Sequence, residues 1–432
     1  MTPTYQSYVV PISADTRTIR KLRIRIIPFL FLLYVVAYLD RTNISLASWT
    51  MNKELGITSH QYGLAFGIFY IGYFFFEIPS NLLLHKIGAR IWIARILISW
   101  GIVAVITGFV QSVFHLYVAR ILLGVAEAGF FPGIVLYLTY WFRQREQAQA
   151  VALFMTALPA CAIVFSPISG LILEHVGWLG VSSWRWLFIL EGIPAVVCGV
   201  ITYFVLPDGP AEANFLTNEE RDWLIMGLAR EQQTKHAEHQ ITAIGALAHR
   251  GVWHLVCIYF PLIAATISMA SWMPGMVKNL FGTYSYSLVG FLVAIPYLVG
   301  LVTMILVSRS SDRKLERRYH AAIPAVIGGI GFVLLRFTTS PVFSIILWSL
   351  VALGVYSFNG PFWSLPGGFL TGFSAASGIA LINSIGNLGG FFGPNAMGTF
   401  GERTGLAFAA GCLFASAALV MLVPKERGVR GQ

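Results

Sequence analysis

The chain is poor in charge. Of its 432 residues only 11% are Asp, Glu, Lys or Arg, whereas 56% are hydrophobic; a soluble domain usually carries about 25% charged residues. Long apolar segments recur to the end of the chain, which excludes a soluble protein and predicts an all-α membrane protein with many spans. Alternating segments of about ten residues, which a transmembrane barrel needs, do not occur.

Cysteine is also scarce, and the motifs of common enzyme classes are missing. The four cysteines, Cys161, Cys198, Cys257 and Cys412, lie singly in apolar runs without metal-ligand spacing, which favours a packing role. The sequence contains no phosphate-binding loop, dinucleotide-binding glycine pattern, nucleophile elbow or zinc spacing. We therefore expect no enzymatic activity, no cofactor and no metal.

The apolar segments number about twelve and form two groups of six. A polar stretch, 207–250, separates them, which predicts an N-terminal bundle over 1–206, a linker, and a C-terminal bundle over 251–432. Within the linker, Thr217 followed by Glu220 is typical of the start of a surface helix. The predicted spans are 26–49, 62–84, 91–112, 113–137, 148–174, 184–206, 252–275, 286–309, 319–338, 341–366, 373–399 and 404–424.

Lysine and arginine are distributed unevenly among the connections. The N-terminal segment, the even-numbered loops and the C-terminus hold 21 of them, and the odd-numbered loops hold four. The positive-inside rule then predicts that both termini and the linker are cytoplasmic, and it accounts for the net charge of +10 without a nucleic-acid partner. We expect a monomer in the lipid bilayer of a cell membrane, such as a bacterial inner membrane.

The two groups of spans repeat each other. The basic loop at 85–90, after the second span, corresponds to the basic loop at 311–318, after the eighth. The Ser-Pro-Ile-Ser-Gly segment at 166–170 corresponds to the Gly-Pro segment at 393–398. Transporters built from such repeats bind their substrate at the interface between the repeats.

The most informative feature is a pair of opposite charges, Asp40 and Arg41, at the end of the first long apolar run. Charges inside a spanning helix are costly when they face lipid, and they mark functional sites when they face a water-filled cavity. A guanidinium stays charged and can bind a carboxylate through two parallel hydrogen bonds. Arg41 is therefore the candidate anion clamp; the alternative is a permanent ion pair with Asp40 or Glu127.

Several segments resemble the major facilitator superfamily, and within it the anion:cation symporters: 34–43, 69–81, 124–133, 140–142 and 383–390. They look most like the tartrate-transporter-like branch, which imports hydroxylated or aromatic carboxylates. The resemblance implies two pseudo-symmetric six-helix bundles. It also implies a secondary transporter that imports a small organic anion with protons by alternating access. The alternative is an anion exchanger or uniporter for aromatic or sugar-acid carboxylates.

Two other classes of function compete with transport. A membrane enzyme acting on lipid needs a nucleophile or a metal cluster near the interface, and the sequence offers neither. A sensor built on a transporter scaffold would carry a large added cytosolic domain, whereas the linker and tails are short. Both are disfavoured.

Two acids are the predicted proton carriers. A carboxyl group in a poorly hydrated site can load and release protons near neutral pH, and the resemblance places acids with this role at Asp40 and Glu127. Arg120 lies seven residues before Glu127, on nearly the same side of the fourth span. It is a candidate partner of an acid in one gate state.

The resemblance also identifies gating candidates in the two corresponding basic loops. The superfamily usually carries glycine and an acid where this chain has Asn81 and His85, which weakens the acidic gate contact of the first loop. Asp312 is available for that role in the second loop. The gating candidates are Lys86, Arg90, Asp312 and Arg313 of these loops, together with Arg120 of the fourth span.

Aromatic and amide side chains complete the predicted binding site. They can hydrogen-bond the hydroxyls of a sugar acid, or they can join helices to one another. Leu158, where some relatives carry glutamine, favours a smaller or less hydroxylated acid. We assign Glu77, Glu191, Arg95 and Arg336 to structure. The predicted substrate-binding residues besides Arg41 are Tyr38, Tyr73, Asn359, Trp363, Asn383 and Asn387.

Overall fold

The computed structural model describes residues 12–143, 146, 150, 154–237, 249–366 and 372–424. These residues form α-helices joined by short connections, and none of them lies in a strand. Before and within the linker the helices are α1 (Ile12–Arg25), α2 (Ile27–Glu54), α3 (Ser59–Ile87), α4 (Ala89–Thr107), α5 (Val113–Glu127), α6 (Phe130–Thr139), α7 (Ala157–His175), α8 (Ser183–Val205) and α9 (Asn218–Ala237). After the linker they are α10 (Arg250–Leu280), α11 (Tyr286–Lys314), α12 (Arg318–Leu335), α13 (Pro341–Ser364), α14 (Gly372–Asn387), α15 (Gly389–Phe400) and α16 (Glu402–Met421).

The predicted multi-pass helical fold is confirmed. Eleven stretches of the described chain are long and apolar enough to cross a membrane. The predicted span 373–399 was wrong as a single helix, because the chain breaks at Leu388 into α14 and α15, of 16 and 12 residues. The two pieces together occupy the place of the remaining span.

The predicted span 113–137 is also broken. Helix α5 ends at Glu127, Ala128 leaves the helical region, and Gly129 adopts a φ of 84° before α6 begins. A side chain at Gly129 would be strained at this φ, so glycine permits the break. As a consequence Glu127 occupies the last position of a helix rather than its middle.

Local capping signals agree with the helix boundaries. At the start of α9, Glu220 N–H donates to the Thr217 hydroxyl (3.3 Å), and Thr217 N–H donates to the Glu220 carboxylate (3.0 Å). The predicted start of a surface helix is therefore confirmed. Lys21 of α1 pairs with Glu220 at 2.8 Å, which holds α1 against the linker helix.

The bundle has two ends, which we name by topology. The C-terminal ends of α3, α8 and α11 lie at the linker face. The C-terminal ends of α2, α7 and α15 lie at the opposite face. At the opposite face, α7 crosses α11 so closely that a Cβ on Gly170 would lie 2.6 Å from the Tyr286 carbonyl oxygen. Tyr62 also donates to the Ser271 carbonyl (2.7 Å). Contacts between the two groups of spans therefore close this face.

Candidate substrate and coupling site

A cavity of about 70 Å³ lies between the two groups of spans. This volume is enough for a few water molecules. Tyrosine dominates its wall, with side chains from α2, α3, α10 and α13. The lining residues are Tyr34, Tyr38, Arg41, Tyr70, Tyr73, Phe131, Met155, Leu158, Tyr259, Ile263, Thr266, Ile267, Tyr356, Asn359, Asn383 and Asn387.

Arg41 supplies the positive charge of the cavity wall. Its guanidinium carbon lies 5.0 Å from the ring centre of Tyr73 and 5.4 Å from that of Phe69, so the aromatic faces stabilise the cation. Its Nε donates to Glu127 Oε1 at 2.6 Å, and its Nη2 lies 2.5 Å from the same oxygen. The guanidinium therefore stands between the cavity and Glu127.

Glu127 lies behind Arg41, with no exposed surface. It does not line the cavity. Its Oε2 has no hydrogen-bond partner within the described residues. The ionised form of a buried carboxylate with a single ion-pair partner depends strongly on that partner, because removing one member of a buried pair leaves an uncompensated charge.

Asp40, adjacent to Arg41 in sequence, faces another part of the molecule. Its Oδ2 accepts a hydrogen bond from Trp100 Nε1 (2.6 Å), and its Oδ1 accepts one from Asn43 Nδ2 (3.1 Å). Consecutive positions on a helix point about 100° apart. Asp40, the other predicted proton carrier, is thus buried beside α4 and accepts hydrogen bonds from neutral donors. It does not line the cavity.

Arg120 makes no ion pair among the described residues. Its Nε donates to the Ala65 carbonyl (3.3 Å) and its Nη1 to the backbone carbonyl of Asp40 (3.4 Å). The guanidinium also packs over the rings of Phe66 and Phe69. In this structure backbone oxygens accept from Nε and Nη1, whereas Nη2 has no hydrogen-bond partner among the described residues. That Arg120 pairs with an acid in one gate state stays a prediction.

Glu77 connects the two groups of spans. Its carboxylate accepts hydrogen bonds from Asn383 Nδ2 at 2.8 Å and from the Ser384 hydroxyl, both on α14. Glu77 lies one helical turn beyond Tyr73 towards the linker face and is 1% exposed. The contact therefore borders the cavity on its linker side.

Glu191 is a further buried acid, on α8. It accepts a hydrogen bond from the Ser169 hydroxyl (2.5 Å), and its second oxygen has no partner in the described structure. It does not line the cavity. Its contact with α7 agrees with the structural role expected for it.

The predicted substrate-binding residues are largely gathered in one place. Tyr38, Tyr73, Asn359, Asn383 and Asn387 all line the cavity together with Arg41. Trp363 does not; its indole instead packs edge-on against Tyr259, with ring centres 5.0 Å apart. It stands behind the wall, as a support of Tyr259.

The predicted gating residues of the basic loops lie at the linker face, where none hydrogen-bonds across to the other group of spans in the described residues. Arg90 pairs with Asp208 (3.4 Å) and Glu212 (3.5 Å) of the linker. Asp312 pairs with Arg317. Lys86 and Arg313 are exposed, and the side chain of His85 lies outside the described residues.

Four cavity tyrosines and Trp100 were missed by reasoning from the sequence. Tyr34 stands four residues before Tyr38 and seven before Arg41, and Tyr70 stands three before Tyr73, so helical spacing places each on the face already singled out. Tyr356 likewise lies three residues before Asn359. No comparable spacing relates Tyr259 or Trp100 to a predicted residue.

Comparison with known proteins agrees with this architecture. The model of the Major Facilitator Superfamily matches residues 30–394. The chain belongs to the major facilitator superfamily. It is accordingly a secondary membrane transporter and not an enzyme.

Two relatives are similar to this chain in sequence, and one solved structure is similar to it in fold. The chain is 45% identical to a protein of Agrobacterium vitis named "Putative tartrate transporter", over 94% of this chain and 93% of the relative. It is 39% identical to the "Quinolone resistance transporter" of Acinetobacter baumannii, over 94% and 92%. The xylose transporter XylE of E. coli, in a partially occluded inward-open conformation, has a TM-score of 0.73 at 17% identity, over 95% of this chain and 99% of that one. The last likeness shows the fold alone.

Proposed function

We propose that the protein is a symporter that moves a small organic anion, a tartrate-like hydroxy acid or a related carboxylate, together with protons. The observation that carries this proposal is the Arg41–Glu127 pair: a cavity-lining guanidinium backed by a fully buried carboxylate. The name of the Agrobacterium vitis relative supports the choice of a hydroxy acid.

Charge balance links anion binding to proton uptake. One guanidinium in a poorly hydrated site can balance one carboxylate, and a second uncompensated carboxylate is costly there. A substrate carboxylate that engages Arg41 from the cavity competes with Glu127 for the same cation. Glu127 then takes up a proton, so the anion and one proton share the loaded site.

The rest of the cavity wall suits a hydroxylated or aromatic acid. Tyrosine hydroxyls and asparagine amides offer both donors and acceptors to substrate hydroxyls. Leu158 adds an apolar surface to the same wall. Because tyrosine faces also favour aromatic rings, the substrate panel should include both kinds of carboxylate.

Alternating access follows from the two ends of the bundle. The opposite face is closed by helix crossings, and on the linker side the cavity is bordered by the bonds of Glu77 to Asn383 and Ser384. Opening towards the linker face must break these bonds, and opening towards the opposite face must separate α7 from α11. We propose that the linker face is cytoplasmic, on the strength of the lysine and arginine asymmetry.

Transport assays test the proposal. In proteoliposomes, an inward proton gradient should drive accumulation of tartrate or of another acid from a panel of hydroxy, plain and aromatic carboxylates, and substrate addition should move protons inward. Uptake that ignores the gradient and needs substrate inside would instead establish an exchanger, and gradient-independent equilibration a uniporter.

Labelling tests the orientation. On a background without native cysteines, Lys53→Cys and Lys278→Cys at the opposite face should react with an impermeant maleimide added to intact cells. Glu212→Cys in the linker should react only after the cells are opened. Labelling of the linker from outside would reverse the orientation.

A further inference from the structure

The outward surface of α11 carries an apolar stripe that no other part of the described chain covers. The stripe side chains follow each other at intervals of three or four residues and are between 42% and 59% exposed. Such spacing places them on one face of the helix. In a spanning helix, this face contacts the acyl chains of lipids. The stripe consists of Phe291, Ile295, Leu298, Val302 and Leu306.

The stripe continues into a cluster of cations at the linker face. Arg309 and Arg313 follow Leu306 at the same intervals, and Lys314 stands beside them. Together with Leu306 and Ser310 they line a pocket of about 300 Å³. Apolar side chains therefore give way to positive charge along a single helix face, where the predicted span 286–309 ends.

The acids nearest the pocket are Asp312, on α11 itself, and Glu316, in the loop that follows, and both are engaged elsewhere. Asp312 pairs with Arg317, and Glu316 Oε2 lies 2.8 Å from His320 Nδ1. Within the described residues, Arg309, Arg313 and Lys314 have no ion pair. This differs from the corresponding loop of the first repeat, where Arg90 is matched by Asp208 and Glu212.

We propose that this pocket binds the headgroup of an anionic phospholipid, with its acyl chains on the apolar stripe of α11. Three cations that form no ion pair with any described residue complement a phosphate-bearing headgroup, and their long stems reach the interface from the helix surface. A soluble anion would use the cations but not the stripe, which is why a lipid is the occupant that fits both features. The inference is independent of the transported substrate.

Lipid retention tests the site directly. The full-length protein, reconstituted in nanodiscs of mixed phosphatidylglycerol and phosphatidylcholine and then released for native mass spectrometry, should retain phosphatidylglycerol. The triple variant Arg309→Gln, Arg313→Gln, Lys314→Gln should retain it on the order of a hundredfold less, because each cation near an anionic lipid contributes about fivefold. Arg313→Gln alone should lose about fivefold, which keeps the test valid if the triple variant does not fold.

A charge-matched control separates the pocket from the overall charge. Lys53→Gln, Lys86→Gln, Arg403→Gln removes the same three charges from scattered exposed positions and should retain the lipid as the unmodified protein does. Thermal unfolding in detergent should show a stabilisation by phosphatidylglycerol that inorganic phosphate does not reproduce. Equal retention by the pocket variants and the control, or equal stabilisation by phosphate, would overturn the proposal.

Discussion

The two halves of the molecule bury different kinds of polar side chain. In the described spans before the linker, six aspartate, glutamate or arginine side chains are at most 9% exposed. Among the described residues after the linker, no aspartate, glutamate, lysine or arginine is buried, and apart from aromatic residues the buried polar side chains are serine, threonine and asparagine. The six charged side chains are Asp40, Arg41, Glu77, Arg120, Glu127 and Glu191.

This difference assigns separate tasks to two bundles of similar construction. Buried charges are costly and are retained where function needs them, so we propose that the proton coupling resides in the first half. The second half supplies neutral donors, such as Asn383 and Ser384, which hold an acid of the first half without altering the net charge. A transporter can thus couple protons in one bundle and use the other for contact and closure.

Replacement of Glu127 is the strongest test of this asymmetry. Glu127→Gln mimics the protonated carboxyl, so the variant should bind the anion and exchange bound for free substrate. It should fail at uphill accumulation, because the empty carrier cannot release a proton to restore the pair with Arg41. Gradient-driven uptake and counterflow in proteoliposomes, measured side by side, distinguish the two activities.

Glu191→Gln is the matched control for Glu127. It alters a buried acid of the same half that lies away from the cavity, and accumulation should continue. Normal accumulation by Glu127→Gln would remove it as the obligatory carrier and shift that role to Asp40.

Arg41 should have the next largest effect. Arg41→Lys keeps the charge but loses the planar fork, so substrate binding should weaken by about 10- to 150-fold, corresponding to the 1.5–3 kcal/mol of a charged hydrogen bond. Binding is measured as the substrate-dependent rise in melting temperature. Arg95→Lys, which alters an arginine stacked on Trp92 outside the cavity, should leave it unchanged. If Arg41→Lys and Arg95→Lys bind the substrate with equal affinity, Arg41 does not contact the substrate and forms only the internal ion pair with Glu127.

The sequence predicted the fold and much of the cavity because both depend on local signals. Apolar run length identifies spans, and helical spacing connects Tyr38 with Arg41 and Asn383 with Asn387. The same spacing, applied further, would have found Tyr34 and Tyr70. It would also have indicated that Asp40 and Arg41 face different neighbours, since adjacent positions on a helix diverge by about 100°.

Contacts between distant segments could not be predicted in this way. Glu77 and Asn383 are 306 residues apart, and their meeting depends on how α3 and α14 pack. The interruptions at Gly129 and Leu388 likewise fall inside segments that hydropathy predicts as single spans. Hydropathy reports burial but not the backbone geometry that interrupts a helix.

Removing the hydrogen bond between Asn383 and Glu77 tests whether neutral donors of the second half stabilise buried acids of the first half. Asn383→Ala leaves the buried carboxylate with one donor fewer, which should lower the free energy of unfolding by about 1–3 kcal/mol. Asn387→Ala, one turn further along the cavity wall, should cost less. In the background Glu77→Gln the effect of Asn383→Ala should shrink, since interacting residues are not additive. Additive losses in thermal unfolding would mean that the two side chains act separately.

The smallest effect is expected for an acid outside the membrane, Glu220 of the linker helix. Partial burial opposes its ionisation, but hydrogen bonds from Lys21 and from the Thr217 backbone outweigh this and lower the pKa of Glu220. A carboxyl group whose pKa is lowered in the folded state stabilises that state above its unfolded pKa, about 4.3. The contribution disappears as pH falls through the folded value.

Glu220→Gln retains the capping geometry with Thr217 and removes only the charge. We expect it to speed hydrogen exchange in α9 at pH 7 by an amount corresponding to under about 1 kcal/mol. The difference from the unmodified protein should diminish as pH falls below about 4.3 and disappear once Glu220 is protonated in the folded state, and proton-driven transport should be unaffected. A transport defect as large as that of Glu127→Gln would show that the division between membrane and linker acids is wrong.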